Sequence, residues 1–319
     1  MKKIAVLSSG GDGPGMNAAI RSVVRCGLHY GLEICGVMRG YQGLIDDDII
    51  EMNHRSVSNI VNRGGTILKT ARSKEFGTDE GKERAVQVLR KRGIDGLVVI
   101  GGDGSYQGAS RLYHKFGFPT VGLPGTIDND LHGTDQTIGC STAINTALES
   151  IDKIRDTAQS MERIFVVEVM GNKSGYIAME VAIAAGAEDV IIPERQFDYE
   201  GMHAEIIEGN RKGKINWIVI LAEGAGKGQT VAETITKATG LETRCVVLGH
   251  VQRGGTPSGQ DRILATRLGA AAVDLLMNGI YGKAVGVLQN EINVVDLADA
   301  TKRQFEHLED YYQLLKILT

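Results

Sequence analysis

The chain has 319 residues, with 35 Lys and Arg against 39 Asp and Glu, a formal charge of −4. That length suits about two domains, and the slight acidity excludes the strongly basic footprint of a nucleic-acid binder. Hydrophobic residues at 42% and charged residues at 23% are globular values rather than those of a disordered chain. No run of about 18 apolar residues is present to cross a membrane, and the first residues enter a strand-like segment without a signal-peptide pattern. A soluble cytoplasmic protein is expected. Cys26, Cys35, Cys140 and Cys245 are scattered without a CxxC pair, so neither a zinc site nor a disulfide framework is indicated.

Glycine is abundant, at 42 residues against 5 prolines, and it clusters where apolar runs end. Ile4 to Leu7 stops at Ser8-Ser-Gly-Gly-Asp-Gly-Pro-Gly15, and Met16 to Leu28 then reads as a helix. Helical spacing recurs over Gly81 to Arg92. Gly96 to Ile100 ends at Gly101-Gly-Asp-Gly-Ser105, and Thr120 to Leu123 ends at Pro124-Gly-Thr-Ile-Asp-Asn-Asp130. A further helix is expected over Thr142 to Thr157, then strands over Ile164 to Val169 and Trp217 to Leu221. Thr301 to Thr319 reads as an amphipathic helix with Phe305, Leu308, Tyr312 and Leu315 on one core-facing side. Short, nearly continuous apolar strands are what a sheet covered on both faces requires, and their alternation with helices predicts βαβ units. The fold expected is α/β and doubly wound, in two lobes with strands before about residue 130 and again from Ile164 to Leu248.

Ligands of such sheets sit beyond the carboxyl ends of the strands, so the glycine loops are the candidate site. The Gly10–Gly15 turn exposes backbone N–H groups at a helix start, an arrangement that receives phosphate. It matches neither the dinucleotide fingerprint nor the Walker loop, and taken alone it is equally a tight connection. Asp103 adds a carboxylate of the kind that shares magnesium with a polyphosphate, or else a helix cap. Asp128 and Asp130 are either turn formers or a proton acceptor and its partner. Arg63, Arg72, His250 and Arg253, beside small residues, supply cationic groups for phosphate. Together these loops point to phosphoryl transfer from a nucleotide with magnesium, one carboxylate receiving the acceptor's proton.

Ser9-Gly-Gly-Asp12 with Pro14-Gly-Met-Asn-Ala-Ala19, Gly101–Ser105, Pro124–Asp130, Asp152-Lys-Ile-Arg-Asp156 and Gly249-His-Val-Gln-Arg-Gly-Gly255 resemble, in order and nearly end to end, the bacterial ATP-dependent 6-phosphofructokinase family. The resemblance implies transfer of phosphate from ATP to the 1-hydroxyl of fructose 6-phosphate, yielding fructose 1,6-bisphosphate and ADP, by a homotetramer of two-lobed α/β subunits. It implies an ATP lobe of residues 1–138 and 252–304 and a sugar-phosphate lobe of 139–251 and 305–319. Asp128 would be the base, Asp103 the Mg2+ ligand with Asp130 nearby, and Thr126 a support for the transferring group. Gly11 and Arg72 would bind the ATP phosphates. Tyr41, Ser73 and the stretch Gly102, Asp103, Gly104, Ser105, Gln107 and Gly108 would line the nucleotide cleft. Met170, Gly171, Asn172, Glu223, His250 and Arg253 would receive the sugar phosphate, with Arg163 and Arg244 reaching in from a neighbouring subunit. Pyrophosphate-using relatives carry Asp in place of Gly104 and Lys in place of Gly125, so the small residues here imply ATP.

Two places depart from the pattern. The family has an Arg after Met170-Gly171, aimed at the transferring phosphoryl group, where this chain has Asn172 followed by Lys173. The effector residues implied are Arg21, Arg25, His54, Arg55, Arg155, Gly186, Glu188, Lys212 and Lys214, for ADP or phosphoenolpyruvate. His54 stands where some members have Arg, and Ile215-Asn216 replace a basic or His-containing pair. A kinase of the NAD or diacylglycerol type shares the Gly-Gly-Asp-Gly loop but leaves Pro124–Asp130 and Gly249–Gly255 unexplained. Asn172 also keeps open a catalytically weakened or regulatory paralogue.

Overall fold

The structure, a computed structural model, describes residues 1–302 and 308–319. It divides into two compact units: Met1–Thr142 with the described part of Arg253–Gln304, and Ala143–Gln252 with the described part of Phe305–Thr319.

The first unit opens with β1 (Lys3–Ser8), α1 (Met16–His29), β2 (Glu33–Val37), α2 (Gly40–Ile45) and β3 (Ile49–Met52). It continues with α3 (Asp79–Lys91), β4 (Gly96–Gly101), α4 (Asp103–His114), β5 (Thr120–Thr126) and β6 (Ile138–Gly139). Helix α5 (Cys140–Met161) leads out of it. The second unit holds β7 (Ile164–Val169), α6 (Tyr176–Ala185), β8 (Asp189–Ile191), α7 (Tyr199–Arg211), β9 (Trp217–Ala222), α8 (Gly228–Thr239) and β10 (Thr243–Val247). The chain then returns to the first unit for α9 (Gly259–Met277), β11 (Lys283–Leu288) and β12 (Glu291–Asp296), and ends in the second with α10 (Leu308–Leu318).

The first sheet runs β12-β11-β5-β4-β1-β2-β3, with β6 beside β5. Its centre is parallel, and the pairs β2–β3 and β11–β12 are antiparallel. The reason for the apolar run in β1 is visible in its packing. Ile4 and Val6 enter one buried cluster, Ala5 and Leu7 another, so both faces are covered. Fully burying side chains the size of Ile4, Val6 and Leu7 contributes about 1.5–3 kcal/mol each. The second sheet, β10-β7-β9-β8, is parallel throughout. Both units are thus α/β with largely parallel sheets, the fold class expected.

Several boundaries move. Helix α3 starts two residues earlier than its apolar spacing predicts, because the Thr78 hydroxyl caps it by accepting the Gly81 N–H. Helix α5 extends beyond the Thr142–Thr157 span at both ends. The expected C-terminal helix is described only over Leu308–Leu318, where Leu308, Tyr312 and Leu315 are buried. Thr301 and Lys302 are non-helical, and Phe305 lies outside the described residues.

Candidate active site

In the first sheet, β2 lies on one side of β1 and β4 with β5 on the other. The strand order therefore reverses between β1 and β4, and the loops leaving their carboxyl ends flank the crevice where doubly wound sheets bind ligands. These are the loops Ser9–Gly15 and Gly101–Ser105. The Ser9 N–H donates to the Ile100 carbonyl at 2.9 Å, and a Cβ on Gly101 would stand 2.6 Å from the Ser9 carbonyl oxygen. Only glycine lets the two backbones approach this closely. Gly15 precedes α1 with φ of 100°, so no side chain caps that helix and its first amides face the loop.

Gly102 is the N-cap of α4 and has no side chain to accept from the first amides, and Asp103 occupies the first helical turn rather than the cap. Asp103 is half-buried, and one of its carboxylate oxygens accepts a hydrogen bond from Gln107 Nε2 at 3.0 Å. Gly104 faces open space: a Cβ there would meet nothing within 4 Å. Gly125 is the opposite case, with Ile100 Cγ2 at 2.8 Å and the Gly101 nitrogen at 3.1 Å from a Cβ position. Ser105 is buried and its carbonyl accepts the Tyr41 hydroxyl at 2.6 Å. The Tyr41 ring stacks on Phe76 with centroids 3.8 Å apart, and both rings press on Gly108. Tyr41 is itself only 5% exposed, so it buttresses α4 from within the core, and burial pushes its phenol well above the ordinary range. Ser73 accepts the Phe76 N–H at 3.1 Å, while Arg72 and Gln107 are exposed.

The register of β4 against β5 sets Gly101 opposite Pro124. A Cβ on Gly102 would lie 3.3 Å from Thr126 Cβ, so the Thr126 side chain abuts the loop carrying Asp103. The Thr126 hydroxyl accepts the Asp128 N–H at 3.2 Å. Asp128 and Asp130 are both buried, and Asn129 between them is left-handed with φ of 48°. Arg253 belongs to the same unit, and its Nη1 donates to the Asp12 carbonyl at 3.3 Å.

The second unit gathers a different set. Met170 N–H donates to Gln252 Oε1 at 2.8 Å, and the N–H groups of Gly171 and Asn172 point to Glu223 Oε1 at 3.3 and 2.8 Å. Asn172 is left-handed with φ of 55°, a conformation that Asn tolerates better than most residues. Lys173 lines a cavity of about 490 Å³ with Ile192, Pro193, Glu194, Arg195, Leu308 and Glu309. Arg163 and Arg244 both pair with Glu242, the former at 2.9 Å. His250 is exposed in the turn after β10.

The effector candidates are divided between the two units. Arg21 and Arg25 are half-buried on α1, and His54 and Arg55 are exposed in the turn after β3. Arg155 Nη2 donates to the carbonyls of Ala185 and Gly186 at 2.5 and 3.0 Å, where Gly186 ends α6 with φ of 60°. Glu188 is buried, accepts the Ile218 N–H at 2.7 Å and pairs with Lys214 at 3.2 Å. Lys212 pairs with Glu208 instead.

One residue beside the first site escapes sequence reasoning altogether. Asp261, 1% exposed on α9, accepts the Gly139 and Thr142 N–H groups at 2.8 Å each. Its partners are 122 and 119 positions away, so no local motif marks it.

Among the described residues, no helix is long and apolar enough to cross a membrane. The phosphofructokinase family profile matches residues 3–276. ATP-dependent 6-phosphofructokinases from Clostridium tetani and Halothermothrix orenii are 52% and 48% identical, each alignment covering all of both chains. The phosphofructokinase structure from Saccharomyces cerevisiae superposes with a TM-score of 0.87 at 38% identity, over 99% of this chain and 48% of the longer yeast chain. Likeness of this extent and level places the chain in the phosphofructokinase family.

Proposed function

We propose that this protein phosphorylates the 1-hydroxyl of fructose 6-phosphate with ATP, giving fructose 1,6-bisphosphate and ADP, with Asp128 as the base. Full-length relatives of this name support the activity. The observation that carries the mechanism is the packing of Thr126 against Gly102, which brings the Asp128 loop beside the Asp103 loop. Phosphoryl transfer depends on positioning and electrostatics more than on covalent chemistry, and loops leaving the neighbouring strands β4 and β5 supply that positioning. The Gly11 backbone and Arg72 hold the ATP phosphates, and the Thr126 hydroxyl supports the group in transit. The Asp128 carboxylate takes the hydroxyl proton as the new P–O bond forms and the bond to the leaving ADP oxygen breaks.

Among the described residues, no three His, Cys, Asp or Glu side chains form a protein-built metal cage. A single half-buried carboxylate at the start of α4 suits Mg2+, which takes few protein ligands and completes its shell with phosphate oxygens and water. Asp103 would hold it, and the ion when bound would neutralise charge on the phosphates.

Met170, Gly171, Glu223, His250 and Arg253 are assigned to the sugar phosphate. Arg163 and Arg244 serve a neighbouring subunit's sugar in a homotetramer, where they exchange Glu242 for that ligand. The glycolytic role places the enzyme in the cytoplasm. The cationic groups Arg21, Arg25, Arg55, Arg155, Lys212 and Lys214 are assigned to an anionic effector, ADP or phosphoenolpyruvate. Asn172 favours a reduced rate relative to members with Arg there, because one donor aimed at developing charge is worth about 10²–10³ in rate.

A coupled assay with fructose 6-phosphate and Mg-ATP tests the reading, with Asp128→Ala as control. Product formation by the parent and its loss in the variant are expected. Turnover surviving in Asp128→Ala would remove Asp128 from the role of base, and no turnover by the parent would favour a regulatory paralogue.

A further inference from the structure

Asp261 is a carboxylate in an unusual setting. Besides the Gly139 and Thr142 amides, it accepts the Thr142 hydroxyl at 2.5 Å, and Ser258 Oγ lies 3.3 Å away. Among the described residues, no Lys, Arg or His pairs with it. Burial raises its acid above the ordinary carboxylate range, opposed by these hydrogen bonds. An isolated buried charge is unfavourable unless strong donors replace water. Here the donors include an amide in the first turn of α5, whose 22 residues set positive dipole charge against the carboxylate.

The consequence lies in what those donors hold. Strand β6 pairs with β5 through Gly125↔Ile138 and Thr126↔Gly139. The chain leaves that pairing at Thr126, carries Asp128 and Asp130, and returns to it at Ile138. Asp261 grips the return end through the Gly139 N–H. It also backs the phosphate loop: a Cβ on Gly15 would touch Asp261 Cβ at 3.4 Å and Ile138 Cγ2 at 2.8 Å. A Cβ on Gly139 would in turn meet the Pro14 carbonyl oxygen at 3.2 Å. One side chain thus lies behind both loops whose spacing the reaction requires.

We propose that Asp261 is a positioning residue for phosphoryl transfer, setting the Asp128 loop against the Ser9–Gly15 loop; this rests on the reading of Asp128 as base. It touches no substrate and moves no proton. Asn at this position keeps the size and one acceptor oxygen but turns an NH2 group toward a donor. A misplacement of about 1 Å at the reacting groups can slow turnover about 10²-fold.

The test compares the full-length parent with Asp261→Asn, Thr142→Val and Asp128→Ala by steady-state kinetics, pH–rate profiles and amide hydrogen exchange. Asp261→Asn is expected to lower kcat about 10- to 100-fold, with both KM values within about twofold. The acid limb of its pH–rate profile should stay in place, and the Gly139 and Thr142 amides should exchange faster. Thr142→Val keeps the carboxylate and both amides, so it should show the same pattern at a few-fold, and it carries the test should Asp261→Asn fail to fold. Faster exchange with unchanged kcat in either variant would reduce Asp261 to a helix cap and overturn the proposal. A moved acid limb would also overturn it, by making Asp261 a proton carrier. The exchange measurement needs no turnover, so failure of the Asp128 reading shows separately, as activity surviving in Asp128→Ala.

Discussion

The Arg253 guanidinium lies directly on the backbone of Gly11, so that a Cβ there would stand 2.8 Å from Arg253 Cζ. The two residues are 242 positions apart in sequence, yet each limits the other. Gly11→Ala is expected to push the guanidinium aside rather than unfold the protein, because the clash is with the end of a long side chain. Activity should fall about 10²-fold or more, in line with misplacing a group in the site, with the Tm nearly unchanged. Parallel kinetics and thermal unfolding check this, and a collapse of the Tm would show that the contact is structural.

At Gly104 a new side chain enters open space, so Gly104→Asp should fold as the parent does. Its carboxylate would project from the first turn of α4, where the ATP phosphates and their charge are expected, and ATP turnover should be abolished. Unaltered ATP kinetics would contradict the placement of this loop at the nucleotide.

Asn172→Arg sets two effects against each other. The left-handed backbone, with φ of 55°, strains most side chains by roughly 1–2 kcal/mol. A donor aimed at the transferring phosphoryl group is worth about 2.7–4 kcal/mol at the transition state. The second should win in rate, raising kcat at least about tenfold while the Tm falls slightly. Unchanged kcat would mean that Asn172 or a neighbour already performs the Arg's task.

Asp189 is fully buried on β8 and is bonded by Lys316 Nζ at 2.8 Å, which also reaches Glu205 at 3.1 Å. Burial, against the pull of Lys316, pushes the Asp189 acid up to about 6. A raised carboxyl binds its proton more tightly in the folded chain than in the unfolded one. Its contribution to stability is therefore full below about pH 4 and is lost as the pH rises through about 6. Lys316→Met leaves the ionised carboxylate without its cation and should destabilise the second unit by about 3–5 kcal/mol at pH 8. The loss should shrink at pH 5, where Asp189 takes up a proton. Denaturant titrations at the two pH values read this directly, and an equal loss at both would contradict it.

Legibility in the sequence followed burial and locality. β1, β4, β5, β7 and β9 were readable because both faces are covered, leaving apolar runs that stop at glycine. β12, with alternating exposed and half-buried residues, and β8, with only three residues, leave no such signature. Helix α9 also passed unread, although its apolar residues pack on α1 and the first sheet. Its sequence, rich in Ala and Gly, carries only a weak stripe. The glycine loops could be located because each interrupts an apolar run. The Thr126–Gly102 contact, the core position of Tyr41 and the Asp261 cluster could not, since each depends on strand register or on partners far along the chain.

The first unit is built from two stretches separated by the whole described span of β7 to β10, and β5 lacks its neighbour β11 until the second stretch arrives. During synthesis, then, the sheet of the first unit stays open at that flank while the intervening elements emerge. A nascent chain halted near residue 142 would display the edge of β5 that β11 later pairs and the bare face of α1 that α9 later covers. Premature termination there should yield aggregation-prone fragments rather than a self-sufficient half.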